Sequence, residues 1–291
     1  LNKEVDTSIL KDATMTPNGA LFKTTQKGFL PELMQKMYDD RVKFKQLMIE
    51  AQKDYEKTKD PKLQKTIAKF NNIQMAKKIS LNSAYGAIGN VWFRYYNLLV
   101  AEAITTSGQL AIRYIEHTLN QYLNKILDTR GEDYIIASDT DSVYITFDNL
   151  VSKVFVSDTD DNKIVEFLDR VAKEKLEPFI DKSYQDLAEY VNAYEQKMQM
   201  KREVIANKGI WVAKKRYILN AHDVEGVRYK EPKLKIMGVE AVKSSTPAAC
   251  REKIKDALKI IMTKDNQELN SFIQDFRKDF MDLKPELIAY P

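Results

Sequence analysis

Apolar residues recur at intervals of three and four through Leu33, Met34, Met37, Tyr38, Phe44, Leu47 and Met48, the period of a helix with one buried face. Pro31 suits the first turn of that helix, which is expected to run to about Lys57, where Asp60-Pro61 breaks it. A second helix is expected from Lys62 to about Asn82, with the polar run Lys53 to Asp60 as an exposed tip between two helical arms. Upstream, Thr16-Pro17-Asn18-Gly19 reads as a turn, and Ala20-Leu21-Phe22 and Gly28-Phe29-Leu30 as the apolar flanks of a short hairpin.

Helical periodicity returns from Ala101 to Leu127, and again from Ile164 to Met200. Between them, Tyr134-Ile135-Ile136-Ala137 and Val143-Tyr144-Ile145-Thr146-Phe147 are rich in β-formers and predict a hairpin whose tip is Ser138-Asp139-Thr140-Asp141-Ser142. Gly209 to Ile236 is strand-like around Lys214-Lys215-Arg216-Tyr217 and Val227-Arg228-Tyr229, and helix resumes after Thr246-Pro247 as far as Leu283. The order of elements predicts an α+β fold.

Composition narrows the chemistry. A single cysteine, Cys250, and two histidines, His117 and His222, leave too few soft ligands for a Cys/His zinc site and make nucleophilic cysteine chemistry a poor fit. No stretch approaches the roughly 20 apolar residues of a membrane helix, so a soluble protein without a membrane partner is expected. The net charge of +4 hides an asymmetry, because Lys201 to Lys235 holds ten Lys or Arg against four acids and leaves the remainder at −2. That stripe is interleaved with Trp211, Tyr217 and Tyr229, the pattern of a surface following a phosphate backbone or, equally, of a solvated face.

Three constellations carry candidate chemistry. In an extended segment residues i and i+2 point to one side, so Asp139 and Asp141 would present two carboxylates together, a charge pair that a divalent cation such as Mg²⁺ neutralises. The same letters recur in Ser157-Asp158-Thr159-Asp160-Asp161, which precedes a helical run and reads as a polar loop with an N-cap. Lys78, Asn82 and Tyr85, spaced four and three, share one helical face, with Gly86 beyond them. Arg41 and Lys45 on the first arm would complete either a triphosphate clamp or an ordinarily decorated helix pair. The third is Lys214-Lys215-Arg216-Tyr217 with Lys233 to Gly238 downstream, and Glu203 near its start is either an ion-pair partner or an extra carboxylate near a metal.

Taken in order, Lys78-x3-Asn82-Ser83-x-Tyr85-Gly86, Asp139-Thr140-Asp141-Ser142 and Lys214-Lys215-Arg216-Tyr217 resemble the B-family DNA polymerases, and most nearly those of T-even-like bacteriophages. Gly89 to Tyr96, Ala103 to Thr106 and Glu231 to Gly238 are similar to the same group. The resemblance implies a palm with an antiparallel sheet and packed helices (1–27 and 91–238), an inserted helical-hairpin fingers (28–90) and the start of a helical thumb (239–291). It implies that Arg41, Lys45 and Lys78 hold the incoming dNTP, with Asn82 nearby and Tyr85 against the nascent base pair. Asp141 and Asp139 would bind two Mg²⁺ with Glu203 close by, while Lys214, Lys215, Arg216 and Tyr217 grip the primer strand and Lys235 and Lys243 touch the primer-template duplex.

The family's first metal-binding motif, an aspartate followed shortly by S-L-Y-P-S, is not in this sequence, nor are its exonuclease domain and most of its thumb. An upstream segment or second polypeptide is therefore expected to supply that aspartate, and a sliding clamp to serve the complete enzyme in the cytoplasm of an infected bacterial host. Ser138 stands where a glycine is usual and must avoid strongly positive φ, and Lys201 stands where an acid is common. The fingers hairpin looks shorter than in the phage group. The reading from a different class is a non-catalytic DNA-binding scaffold derived from a polymerase.

Overall fold

The computed structural model describes residues 3–156 and 159–289. The chain divides into two compact units, one of residues up to Glu203 together with Glu225–Val227, the other of Val204–Val224 and the residues from Arg228 on. No helix among the described residues is long and apolar enough to cross a membrane.

The first unit begins with a hairpin of β1 (Ala13–Met15) and β2 (Leu21–Lys23), paired Thr14 to Phe22. The expected turn is present, with Gly19 at φ +81° and Thr16 N–H donating to the Ala20 carbonyl at 3.0 Å. Its strands differ from the expectation: the partner of Leu21 lies before the turn, and Phe29 opens a helix instead. Ala13–Met15 gives β2 a partner just across the turn, whereas Phe29 and Leu30 are taken into the helix, whose first turn Pro31 fits because no N–H donor is needed there.

Helices α1 (Phe29–Thr58) and α2 (Pro61–Ile88) form the helical hairpin. They run antiparallel, since Asp40 meets Lys77 at 2.7 Å, Phe44 lies 6.2 Å from Phe70, and the Gln64 amide donates to the Tyr55 hydroxyl at 2.7 Å. The tip shrinks to Lys59 and Asp60, because Lys59 takes the left-handed conformation at φ 56° and Asp60 caps α2 by accepting from Lys62 N–H at 2.9 Å. The polar run before Lys59 is helix rather than loop, with Lys53, Asp54 and Lys57 exposed and Glu56 paired with Lys59.

Helix α3 (Leu98–Ile126) supplies the core of this unit: Ala111, Ile115, Leu119 and Leu123, spaced by four, pack with Tyr134, Ile135, Leu176, Ile180 and Tyr184. Strands β3 (Ile135–Asp139) and β4 (Ser142–Ile145) lie against it, followed by α4 (Asp148–Val154). The second D-T-D run is only partly visible: Ser157 and Asp158 lie outside the described residues, and Asp160 caps α5 (Asp161–Val171) as expected. A π-helical turn, Ala172–Leu176, joins α5 to α6 (Glu177–Tyr190). Pro178 explains it, having no N–H to donate and a ring that crowds the carbonyl four residues back, so the helix widens there. The helix expected to reach Met200 stops at Tyr190, where Asn192 turns left-handed (φ 51°) and its side-chain amide bonds the Leu10 and Ala13 carbonyls at 2.7 and 2.9 Å.

The second unit is a three-stranded sheet of β5 (Val204–Ala213), β6 (Arg216–Val224) and β7 (Val227–Met237), with β6 central. Every residue from Tyr217 to Asp223 is buried. One face packs Ile210, Ile218, Leu234 and Ile236 on Leu258 and Met262 of α7 (Ala248–Thr263). The helical tail is broken at Lys264-Asp265, where Asp265 caps α8 (Asn266–Met281), and a last turn α9 spans Pro285–Ile288.

Candidate active site

The D-T-D-S hairpin is built from its base upward. Tyr134 is buried, its N–H donates to the Asn120 side chain at 2.9 Å, and its hydroxyl pairs with Thr129 at 2.8 Å, so α3 fixes where β3 starts. Asp139 pairs with Ser142 across the ladder, which leaves Thr140 and Asp141 as the two turn residues. Asp141 N–H folds back onto the Asp139 carbonyl at 2.6 Å, and Thr140 is forced to φ 56°. A β-branched residue there is an outlier of the kind found at functional turns, costing about 1–3 kcal/mol. The Thr140 hydroxyl donates to Asp139 Oδ1 at 2.9 Å, and the Ser142 hydroxyl to the Asp139 carbonyl at 3.2 Å.

This geometry corrects the sequence argument for the carboxylate pair. Asp139 ends a strand and Asp141 lies in the turn, so strand alternation does not relate them; the reversal at Thr140 does. Asp139 is half-buried and Asp141 exposed. Ser138 keeps an ordinary strand position opposite Val143, and the left-handed conformation falls on Thr140.

The Asp141 charge is felt by Tyr184 of α6. Burial first, and the Asp141 carboxylate second, push the Tyr184 phenol up to about 12. A folded pKa above the unfolded value near 10 means that the stability tied to neutral Tyr184 is intact below about pH 10 and is lost as pH rises toward 12. Tyrosinate absorbance at alkaline pH should show one late-titrating phenol that disappears in Tyr184→Phe.

As metal ligands the two aspartates offer hard oxygen donors, which suit Mg²⁺, an ion commonly held by one or two carboxylates with water and substrate phosphates completing its shell. Among the described residues no group of three or more His, Cys, Asp or Glu side chains converges on a common point. Glu203 is thus not gathered with Asp139 and Asp141. It is exposed, and its carbonyl accepts the Glu225 N–H at 2.6 Å.

Helix α2 runs six residues past its expected end, so Lys78, Asn82 and Tyr85 all lie on it, and all three are exposed. Lys77, not Lys78, faces α1 through Asp40; Lys78 is about 100° further round the helix. Arg41 is half-buried, its Nε enclosed without a hydrogen-bond partner. Lys45 forms an ion pair with Glu225. The structure therefore presents Lys78, Asn82 and Tyr85 together but engages Lys45 elsewhere.

Lys214 and Lys215 are not strand residues; they form the turn between β5 and β6, with Lys215 at φ 60°. Both are exposed. The Arg216 guanidinium reaches both oxygens of Glu240 at 2.6 and 2.5 Å, and Glu240 also accepts from Lys243 at 3.0 Å. The Glu240 carboxyl is held below its usual range by its own backbone N–H first, then by Lys243 and Arg216. Tyr217 is buried, its ring 6.3 Å from Trp211. Lys235 is half-buried on β7. Expected primer contacts at Arg216 and Tyr217 are thus respectively paired and packed inside the sheet.

Sequence reasoning missed Glu225 and Glu240. Glu225 lies 180 residues from Lys45 and Glu240 lies 24 from Arg216, separations that no local pattern spans. Trp92, between α2 and α3, is 92% exposed, which a run of flanking aromatics disguised.

The sequence profile of DNA polymerase family B matches residues 1–289. The chain is similar to the DNA-directed DNA polymerase of Escherichia phage RB69, 38% identical over 84% of this chain and 33% of the phage protein. It is similar to that of Enterobacteria phage T4, 42% identical over 75% of this chain and 25% of that protein. A DNA polymerase delta catalytic subunit from Arabidopsis thaliana is 33% identical over 46% of this chain and 12% of its own length. The chain therefore spans about a third or less of these relatives.

Proposed function

Because the chain belongs to DNA polymerase family B, we propose that it forms the fingers, most of the palm and the start of the thumb of a phage replicative DNA polymerase, divided at 28–90, 91–238 and 239–291. The observation that carries this is the family match over residues 1–289, with Asp139-Thr140-Asp141-Ser142 at the tip of a hairpin anchored on α3.

In the reaction, a primer 3′-hydroxyl attacks the α-phosphate of a dNTP in line and pyrophosphate leaves. Asp141 and Asp139 would hold two Mg²⁺ with an aspartate from an upstream segment or polypeptide; when bound, such ions lower the hydroxyl's pKa and neutralise phosphate charge. Lys78, Arg41 and Lys45 bind the triphosphate, Asn82 lies beside it, and Tyr85 packs on the nascent base pair. Lys214 and Lys215 bind the primer backbone as exposed cations, and the Arg216–Glu240–Lys243 network fixes the turn that carries them. Lys235 and Lys243 contact the duplex. A sliding clamp and the host cytoplasm are the setting of the complete enzyme.

The test is binding of a fluorescent dNTP with and without Mg²⁺. Metal-dependent binding weakened about tenfold or more in Lys78→Ala supports the reading, tenfold corresponding to about 1.4 kcal/mol. Salt-sensitive DNA binding with no nucleotide binding would instead support a scaffold.

A further inference from the structure

The turn between β6 and β7 carries Glu225 and Gly226, which belong to the same compact unit as α1. Glu225 takes a left-handed conformation at φ 52° and Gly226 one at φ 81°, so the turn is tight and holds its residues in defined directions. Its backbone is tied down as well, the Glu225 N–H donating to the Glu203 carbonyl at 2.6 Å. Helix α1 meets this turn with two lysines on one face. Lys45 is ion-paired with the Glu225 carboxylate, and Lys53, eight residues on, brings its Nζ within 3.1 Å of where a side chain on Gly226 would begin. The Lys45 and Glu225 side chains are only 36% and 24% exposed, so the pair is partly shielded from solvent.

We propose that Glu225 is a competing carboxylate that gates the nucleotide site: it occupies Lys45 when no nucleotide is present, and a triphosphate must displace it to recruit that lysine. The proposal rests on the reading of Lys45 as a triphosphate ligand. Its physical basis is exchange. A lysine ammonium donates to few acceptors at once, and a ligand shifts an equilibrium only by its differential affinity for the two states. A triphosphate carries several negative charges against one on Glu225 and so wins the lysine, but its net affinity is lowered by what the existing pair contributes. That contribution is small for a partly exposed pair, which makes the gate easily opened rather than locked. The pinned turn backbone gives direction to the effect: as Lys45 reaches toward a phosphate it moves away from a carboxylate whose main chain stays in place.

The expected result is that Glu225→Gln, which keeps the side chain's size and the left-handed turn but removes the charge, tightens Mg²⁺-dependent binding of a fluorescent dNTP by about threefold to fivefold. The gain should vanish when Lys45 is also replaced: Lys45→Ala with Glu225→Gln should bind like Lys45→Ala alone. A merely structural role for Glu225 would not give this dependence, and thermal unfolding of each variant verifies that the fold survives. If Lys45→Ala and Lys78→Ala weaken binding while Glu225→Gln leaves it unchanged or weakens it, the triphosphate clamp stands and the gate is overturned. If neither lysine matters to nucleotide binding, the clamp reading fails and the gate falls with it.

Discussion

Asp141→Asn is expected to reduce Mg²⁺-dependent primer extension, by a polymerase complemented with the upstream metal-binding segment, by roughly a thousandfold, about 4 kcal/mol of barrier. Asparagine keeps the size of the side chain and the turn that Thr140 makes possible, and it removes the negative charge. The exposed position of Asp141 means that little packing is lost, so stability should hardly move. An internal control comes with it: the Asp141 charge helps hold the Tyr184 phenol up, so in Asp141→Asn that phenol should ionise at a lower pH than in the parent chain. Lost extension with a lowered Tyr184 titration identifies a chemical defect in an intact hairpin. Undiminished extension would remove Asp141 from the reaction.

Gly238→Ala is expected to destabilise the second unit by about 3–5 kcal/mol, combining left-handed strain with overpacking. Gly238 sits at φ 63°, and a β-carbon there would fall 2.2 Å from the Lys215 carbonyl oxygen and 3.2 Å from Arg216 Cγ. The Lys215 backbone is itself in a tight left-handed turn, so neither side can yield cheaply. Gly238→Asn separates the two causes, since asparagine tolerates positive φ yet still carries a β-carbon; it should be no better than alanine. Urea unfolding followed by Trp211 fluorescence, in a Trp92→Phe background that leaves one tryptophan, reads the sheet directly. An unchanged midpoint would contradict the geometry. A shifted one predicts weaker primer binding as well, because the added β-carbon would press on the Lys215 carbonyl of the Lys214-Lys215 turn.

Much of this fold was legible because it is local. The three-and-four spacing of apolar residues marks α1, Asp60-Pro61 marks the tip, and β-formers flanking D-T-D-S mark its hairpin. Local signals failed where a neighbour far along the chain decides. Pairing β2 with β1 depends on which short strand is available, and the end of α6 depends on Asn192 binding carbonyls near residue 10. At the candidate site, residue types and order were readable but their availability was not. Arg216 and Lys45 look like free cations in the sequence, and their partners Glu240 and Glu225 are defined only by the fold. The paired aspartates likewise were visible, whereas the reversal that relates them depends on Thr140 adopting a conformation its residue type disfavours.

The most direct test of the central claim is templated primer extension with Mg²⁺, the chain assayed alone and then mixed with the upstream polymerase segment that carries the first metal-binding aspartate. Incorporation of dNTP is expected in the mixture, dependent on Asp141, and none from the chain alone. Incorporation by the chain alone, or none in a mixture shown to associate, would contradict that claim.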